Sequence, residues 1–446
     1  MAGGDGLQRW ANPLHLERKN KKKPRPMSAS KYSVSVLKLR NFRMLLATRM
    51  FVMMALQAQS VIVGWQIYSL TKDTFLLGLT GLVEAIPAIA CALFAGHVVD
   101  IGNPRKIYIA CVGTLALNTI MFLLFAGGIV PIESKPLLYL IYGGIFLSGL
   151  ARSFIAPASF TLLSQIVKRE EMPSAAAWLG TGFQISAIGG PAIAGLVYGG
   201  YGPAGAWFLP ALLMIGAFGA VNAINIGPHQ RGERRENAIK SIHAGWNFIW
   251  THKVLLSMMA LDMFAVLFGG AVAMLPAYAD EVLHVGSEGL GALRAAPAIG
   301  AVGMTLIMAL KPMKHLSAMR LLWVVAGFGV CMIGFGLSTN FWLSLFFLGL
   351  SGVFDSINMT IRATLMQLLT PDHMRGRVSS ISSMFIISSN EIGAFESGTA
   401  ARLLGLVPSV VLGGICTLIV TGAIAYLSPP FRRTVVDVNT SQKSQT

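Results

Sequence analysis

The sequence predicts an all-α integral membrane protein, with twelve transmembrane helices in two six-helix pseudo-repeats. Three observations carry that prediction. Hydrophobic residues fill 54% of the 446 positions and charged residues only 12%, where an ordinary soluble domain is about one quarter charged. A span needs about 20 mostly apolar residues, so the hydrophobic half of the chain suffices for about twelve. Apolar runs broken by Gly, Pro and charge clusters place them at 44–69, 75–98, 107–129, 138–165, 175–199, 205–226, 254–279, 289–310, 321–338, 342–368, 379–404 and 408–428. The third observation is where the 35 Lys and Arg residues fall. Lys72, Lys135 and Arg402 lie in loops on one side, and Arg49, Arg152, Arg294 and Arg362 lie within spans. All the others share the side that carries both termini. Such a bias over short loops sets that side as cytosolic, and losing one span would scramble the alternation.

The first 40 residues read as a disordered, basic cytosolic arm. The run Arg18-Lys19-Asn20-Lys21-Lys22-Lys23-Pro24-Arg25 has no interleaved aromatics, so the net charge of +16 points to topology and contact with anionic lipid rather than to nucleic acid. No short apolar run with a cleavage site precedes the first span, which therefore serves as its own insertion signal. Residues 41–226 form the first six-helix bundle and 254–428 the second. A cytosolic linker, 227–253, separates them, and a cytosolic tail covers 429–446. In the linker, Ile239, Ile242, Trp246, Ile249 and Trp250 recur at helical spacing, the pattern of an amphipathic helix at the membrane surface. The four cysteines sit in apolar segments without metal-ligand spacing and read as core residues. Trp65, Trp178, Trp207 and Trp342 fall near span ends and read as interfacial belts.

The halves resemble each other. A shift of 202 residues lays Gln165 on Gln367 and Met172 on Met374, and a shift of 214 lays Lys106 on Arg320 and Gly113 on Gly327. A parallel six-plus-six repeat is the plan of a secondary transporter whose halves rock about a central site.

Charge at bilayer depth costs at least about 2.5–3.5 kcal/mol per group, so each such residue needs a partner, a water-filled space or a function. There are nine: Arg49, Glu84, Arg152, Asp262, Arg294, Asp355, Arg362, Glu391 and Glu396. Spans three, six, nine and twelve carry none. Glu84, Arg152, Asp355 and Glu391 fall near mid-depth. Asp355 and Arg362 are two helical turns apart on one face, which makes them candidate partners in a charge network, as are Glu84 and Arg152. The four carboxylates Glu84, Asp262, Asp355 and Glu391 are candidate proton carriers, Glu84 and Glu391 first. Arg152 and Arg362 are candidates to hold anionic cargo groups or to balance those carboxylates, and Asn390 joins the candidate cavity beside Glu391. Pro87 and Pro157 can kink helices next to these charges.

Five segments carry a resemblance to a family. Gly96-His97-Val98-Val99-Asp100-Ile101-Gly102-Asn103-Pro104-Arg105-Lys106, after span two, resembles the signature loop of the major facilitator superfamily, with Gly96, Asp100, Arg105 and Lys106 at its matching positions. Ile101 stands where Arg is usual, and Asn103 where Gly or Asp is usual. In physical terms, Gly96 permits close approach of another helix, Asp100 can accept hydrogen bonds from a helix N-terminus, and Arg105 and Lys106 hold the loop cytosolic. The resemblance implies that this loop latches one alternating-access state. Beyond residue 35 the chain is similar to the exporter branch that includes enterobactin exporters and macrolide efflux proteins. That similarity rests on Gly149–Pro157, on Gly189–Gly195, on Ser389–Gly398 and above all on Thr370–Val378, with Pro371, Arg375, Gly376 and Arg377. It implies spans one, four, seven and ten around a cavity, spans three, six, nine and twelve against lipid, a siderophore-like or drug-like cargo, proton antiport, and residence in a bacterial inner membrane as a multi-pass monomer.

The resemblance implies no cofactor and no enzymatic activity. The residues agree: there is no phosphate-binding Gly-Lys-Ser/Thr loop for ATP-driven pumping, and no nucleophile–base pair or metal-ligand cluster. Import on the same scaffold is the nearer alternative reading, and a membrane sensor acting through the basic arm the more distant one.

Overall fold

The computed structural model describes residues 35–226, 238–311, 315–371 and 374–437. Most of the expected basic arm, the first part of the linker and the end of the tail lie outside the described residues. The remainder is almost wholly helical. The first half holds α1 (Arg40–Thr71), α2 (Thr74–Ile101), α3 (Pro104–Phe125), α4 (Ser134–Ile166) and α5 (Met172–Asn222). The second begins with α6 (Ala238–Thr251) and α7 (Lys253–Phe268), and continues with α8 (Gly286–Leu310), α9 (Ala318–Leu337), α10 (Phe341–Leu369), α11 (Arg375–Leu404) and α12 (Leu406–Leu427). Two three-residue strands, β1 (His315–Ser317) and β2 (Val435–Asp437), pair antiparallel after α8 and α12.

Ten helical segments are long and apolar enough to cross a membrane, and two physical details bring the count to twelve. The longest contains α5, where Gly202 has φ 68°, a left-handed conformation open to glycine. The break divides α5 into spans five and six. The other detail is α11, long enough to span but rich in Ser, Asn and Glu, so composition alone passes it over. An even number of spans puts both ends of the helical region on one face, here called the terminal face.

Local chemistry fixes the helix starts. Asp73 Oδ1 accepts from Phe75 N at 2.8 Å to begin α2. Asn103 Oδ1 accepts from Arg105 N and Lys106 N at 3.1 and 3.2 Å to begin α3, with Pro104 at the first helical position. Ser317 and Asn340 cap α9 and α10 in the same way. Span seven departs from the single run expected over 254–279: α7 stops at Phe268, Gly269 and Gly270 interrupt it, and a 3-10 turn at Ala271–Met274 leads to a π turn at Tyr278–Val282.

Within the first half α1 packs on α5 and α2 on α4, while in the second α8 packs on α10 and α9 on α12. The halves meet along α2 with α11 and α5 with α8. Glycines permit both contacts. A Cβ added at Gly398 would stand 2.7 Å from the Gly78 Cα, and one at Gly291 would stand 3.0 Å from the Gly195 Cα. Gly78 to Gly291 is an offset of 213 and Gly195 to Gly398 one of 203, close to the two shifts read from the sequence. The two contacts are therefore pseudo-twofold mates.

Both glycine contacts lie toward the face opposite the termini, and there the apolar core is shared. One buried cluster joins Ile62, Tyr68 and Trp207 of the first half to Met274, Tyr278, Leu290 and Phe335 of the second. Toward the terminal face the clusters stay within single halves, one around Phe42, Tyr108 and Leu162 and two in the second half. The fold is thus sealed at the opposite face. Trp207 belongs to that seal and corrects the expected interfacial belt: it is fully buried, packs on Phe122 with ring centroids 4.7 Å apart, and donates from Nε1 to Gln66 Oε1 at 2.9 Å. Trp342, 75% exposed, does sit at a helix end facing outward.

Gly398→Val tests the seal. Its branched Cβ has no room against Thr74 O, 2.6 Å away, so it should force α2 and α11 apart. The expected result is raised thiol-reagent labelling of a cysteine placed at Ser60, with a large loss of cargo flux. Unchanged labelling would contradict close packing here.

Candidate functional site

Four ionisable groups meet where the halves meet. Glu84 on α2 forms an ion pair with Arg152 on α4, through Glu84 Oε1 and Arg152 Nη1. Gly149, one turn before Arg152, permits this: a Cβ there would lie 2.6 Å from the Glu84 carbonyl oxygen and 3.0 Å from Pro87 Cγ. Glu391 on α11 interacts electrostatically with Arg152 and with Arg294 on α8. Arg294 in turn donates to Ser60 Oγ on α1 at 2.6 Å and to Val272 O at 3.3 Å. Glu84, Arg152 and Ser60 come from the first half, Arg294 and Glu391 from the second. With all four ionised the charges cancel, which is how two carboxylates and two guanidiniums are tolerated at this depth. The Arg152 side chain is nonetheless 45% exposed, so the pair borders open space rather than being packed shut.

A second pair is of another kind. Asp262 on α7 and Arg362 on α10 form an ion pair with side chains only 6% and 8% exposed. Asn358, one turn before Arg362, donates from Nδ2 to Asp262 Oδ1 at 2.8 Å. This corrects the expected Asp355–Arg362 partnership: the two share a helix face, but Arg362 turns to α7, and Asp355 is left lining a small cavity with Asp262 and Asn358. Asn390 does not join the interface network. It is exposed and donates to Ile386 O, in its own helix, at 3.0 Å.

A family model described as the Major Facilitator Superfamily matches residues 45–394. The chain belongs to the major facilitator superfamily. Curated relatives include the enterobactin exporter EntS of Shigella boydii serotype 4, 26% identical over 391 residues and covering 85% of this chain and 89% of that protein. EntS of Escherichia coli O81 matches over the same shares at 26% identity. Among solved structures, a variant of the nucleoside transporter NupG superposes with a TM-score of 0.65 at 12% identity, over 87% of this chain and all of that one. A POT family transporter in complex with 5-aminolevulinic acid gives 0.69 at 10% identity, over 88% and 97%. At those identities the solved structures establish the fold alone, a multi-pass helical membrane fold.

The segment Gly96–Lys106, which resembles the family's signature loop, joins α2 to α3. Helix α2 runs on to Ile101, and Asn103, one of the two departures from the family pattern, provides the cap of α3. Arg105 donates from Nη2 to Asn222 O at 3.0 Å and so ties the loop to the end of α5. Lys106 contributes its backbone N–H to the same cap. Among the described residues, a Cβ added at Gly96, where a close helix approach was expected, meets no atom within 4 Å. The Asp100 side chain lies outside the described residues. After span ten, Pro371 O accepts from Met374 N at 2.9 Å, and Arg375 Nε donates to Gln367 O at 3.2 Å, closing the turn that starts α11. Arg377 backs onto α6, where a Cβ added at Gly245 would lie 3.1 Å from the Arg377 Cβ.

Polar contacts between the halves also line the sealed face. Lys72 pairs with Asp280, Tyr68 donates to Glu281, and Arg402 lies 3.5 Å from Asp73 and 5.4 Å from the Phe75 ring centre. Sequence reading missed Ser60, Asn358 and these seal residues. Ser60 and Asn358 were detectable as hydrogen-bonding side chains inside apolar runs. The seal residues sit at span ends, where charge is ordinary.

Proposed function

We propose that the chain is a secondary active exporter that moves a small organic solute out of the cell in exchange for protons, by alternating access. The observation that supports it best is the charge-neutral network of Glu84, Arg152, Arg294 and Glu391 across the boundary between the halves. Ionised carboxylates accept hydrogen bonds from hydroxyl or amine groups on a cargo. A proton arriving at Glu391 turns one of its two acceptor oxygens into a donor and takes the network from neutral to +1, which weakens the hold on such a cargo, so proton and cargo compete for one site. Competition of this kind is antiport. Among the described residues Glu84 is held in a direct ion pair with Arg152, whereas Glu391 feels Arg152 and Arg294 only through space; a carboxylate without a directly paired cation gives up less on protonation, which favours Glu391 as the proton carrier.

In this reading residues 41–226 and 254–428 rock as two bodies about the network, joined by the 227–253 linker, and the sealed state faces the terminal side. The lysine and arginine bias makes that side the cytosol. The EntS relatives, enterobactin exporters by name, favour outward movement over import and a siderophore-like solute among the candidate cargoes, with a drug-like one next. A bacterial inner membrane, a monomeric state and contact of the basic arm with anionic lipid complete the proposal. Everted membrane vesicles carrying the protein should accumulate siderophores or dyes when an inward-acid pH gradient is imposed. Accumulation that ignores the gradient removes the antiport reading, and no movement of any cargo class removes the transporter reading.

A further inference from the structure

Away from the boundary between the halves, a small cavity lies inside the second half between α7, α9 and α10. Asp262, Asp355, Asn358, Phe328 and Phe354 line it. It has about 20 Å³ of space for the centres of water-sized spheres, enough for an ion or a water and far too little for an organic cargo.

Its polar groups are unevenly matched. Arg362 takes one oxygen of Asp262 and the Asn358 amide takes the other. Asn358 is 6% exposed, and its Oδ1 is buried with no hydrogen-bond partner. A buried acceptor left unpaired needs an explanation, and an ion is one of the few available. Asp355 has no cationic partner among the described residues. With both carboxylates ionised, two against one guanidinium leave the cluster at −1.

We propose that this cavity binds one hard monovalent cation, Na⁺, between the Asp355 carboxylate and Asn358 Oδ1, with Asp262 beside them. The donor set is oxygen only, the chemistry of hard cations rather than of soft or imidazole-seeking metals. One positive charge neutralises the cluster, where a divalent ion would leave it at +1. The pseudo-repeat offers no copy of these acids in the first half. The offsets of 213 and 203 place Arg49 where Asp262 stands and Arg152 where Asp355 stands, so the equivalent positions there are basic. The proposal does not depend on which solute is exported, nor on Glu391 carrying the coupling proton.

The test is equilibrium binding of ²²Na⁺ to the purified full-length protein in lipid nanodiscs, alongside the thermal midpoint with and without Na⁺. The wild type should bind ²²Na⁺ saturably, release it to excess unlabelled Na⁺ and gain thermal stability from the ion. Asp355→Asn should weaken binding at least about tenfold and abolish the thermal gain. Asn358→Ala carries the same expectation and stands in if Asp355→Asn does not fold. Absence of saturable binding to wild-type protein overturns the proposal, even where pH-driven cargo movement is intact. Unchanged binding by a folded Asp355→Asn or Asn358→Ala variant overturns it too.

Discussion

Arg362→Ala should destabilise the protein by about 3–5 kcal/mol, the cost of stranding one member of a buried ion pair. Both Asp262 and Arg362 are more than nine-tenths buried, and α7 and α10 bring no second cation to Asp262. The Asn358 hydrogen bond alone does not compensate a carboxylate in that setting. Arg362→Lys should recover only part of the loss, because a point ammonium does not reproduce the guanidinium's planar fork of donors. Removing both charges is different. Asp262→Leu with Arg362→Met should restore most of the stability, since a well-packed apolar pair is often as good as a buried ionic one. Thermal and denaturant unfolding in mild detergent read all three. A loss under about 1 kcal/mol for Arg362→Ala would place the pair in the class of exposed bridges and contradict the burial described above.

Glu391→Gln should have the largest effect on transport. The amide keeps the size of the side chain and can still accept a hydrogen bond, but it cannot take up a proton. Cargo exchange between two compartments of equal pH should persist with weaker cargo binding, because the neutral amide resembles the protonated acid, while the response to a pH gradient should fall at least about tenfold. Glu84→Gln should act differently, by freeing Arg152 and lowering exchange and gradient-driven flux together. If Glu391→Gln responds to the gradient like the wild type, another group carries the proton.

The arrangement of spans was legible because the membrane imposes a run length of about 20 residues and the cell imposes a charge bias on loops. Both constraints are local in sequence. Which side chains meet is not local. Asp355 and Arg362 lie on one face of α10, so spacing paired them, yet the partner of Arg362 is Asp262, 100 residues earlier, and only the approach of α7 decides it. The Glu84–Arg152 pair was within reach of sequence reading because mid-depth charges have few alternatives. Trp207 misled for a related reason: its position along the helix axis was legible, its rotation toward Gln66 and Phe122 was not. Gly269 and Gly270 interrupt span seven without any drop in apolarity, so no composition signal marked the break. The glycine pairs Gly78–Gly398 and Gly195–Gly291 were anticipated only as two approximate repeat shifts, and the contacts gave those shifts a physical meaning.

Cargo and proton share the Glu84–Arg152–Arg294–Glu391 network in this account, so the most direct measurement follows both at once. Protein reconstituted in proteoliposomes with an internal pH dye, given cargo on one side at symmetrical starting pH, should move protons in the direction opposite to the cargo. That proton signal should vanish in Glu391→Gln while cargo exchange continues. Cargo movement without any proton movement in the wild type, or proton movement in the same direction as the cargo, would contradict it.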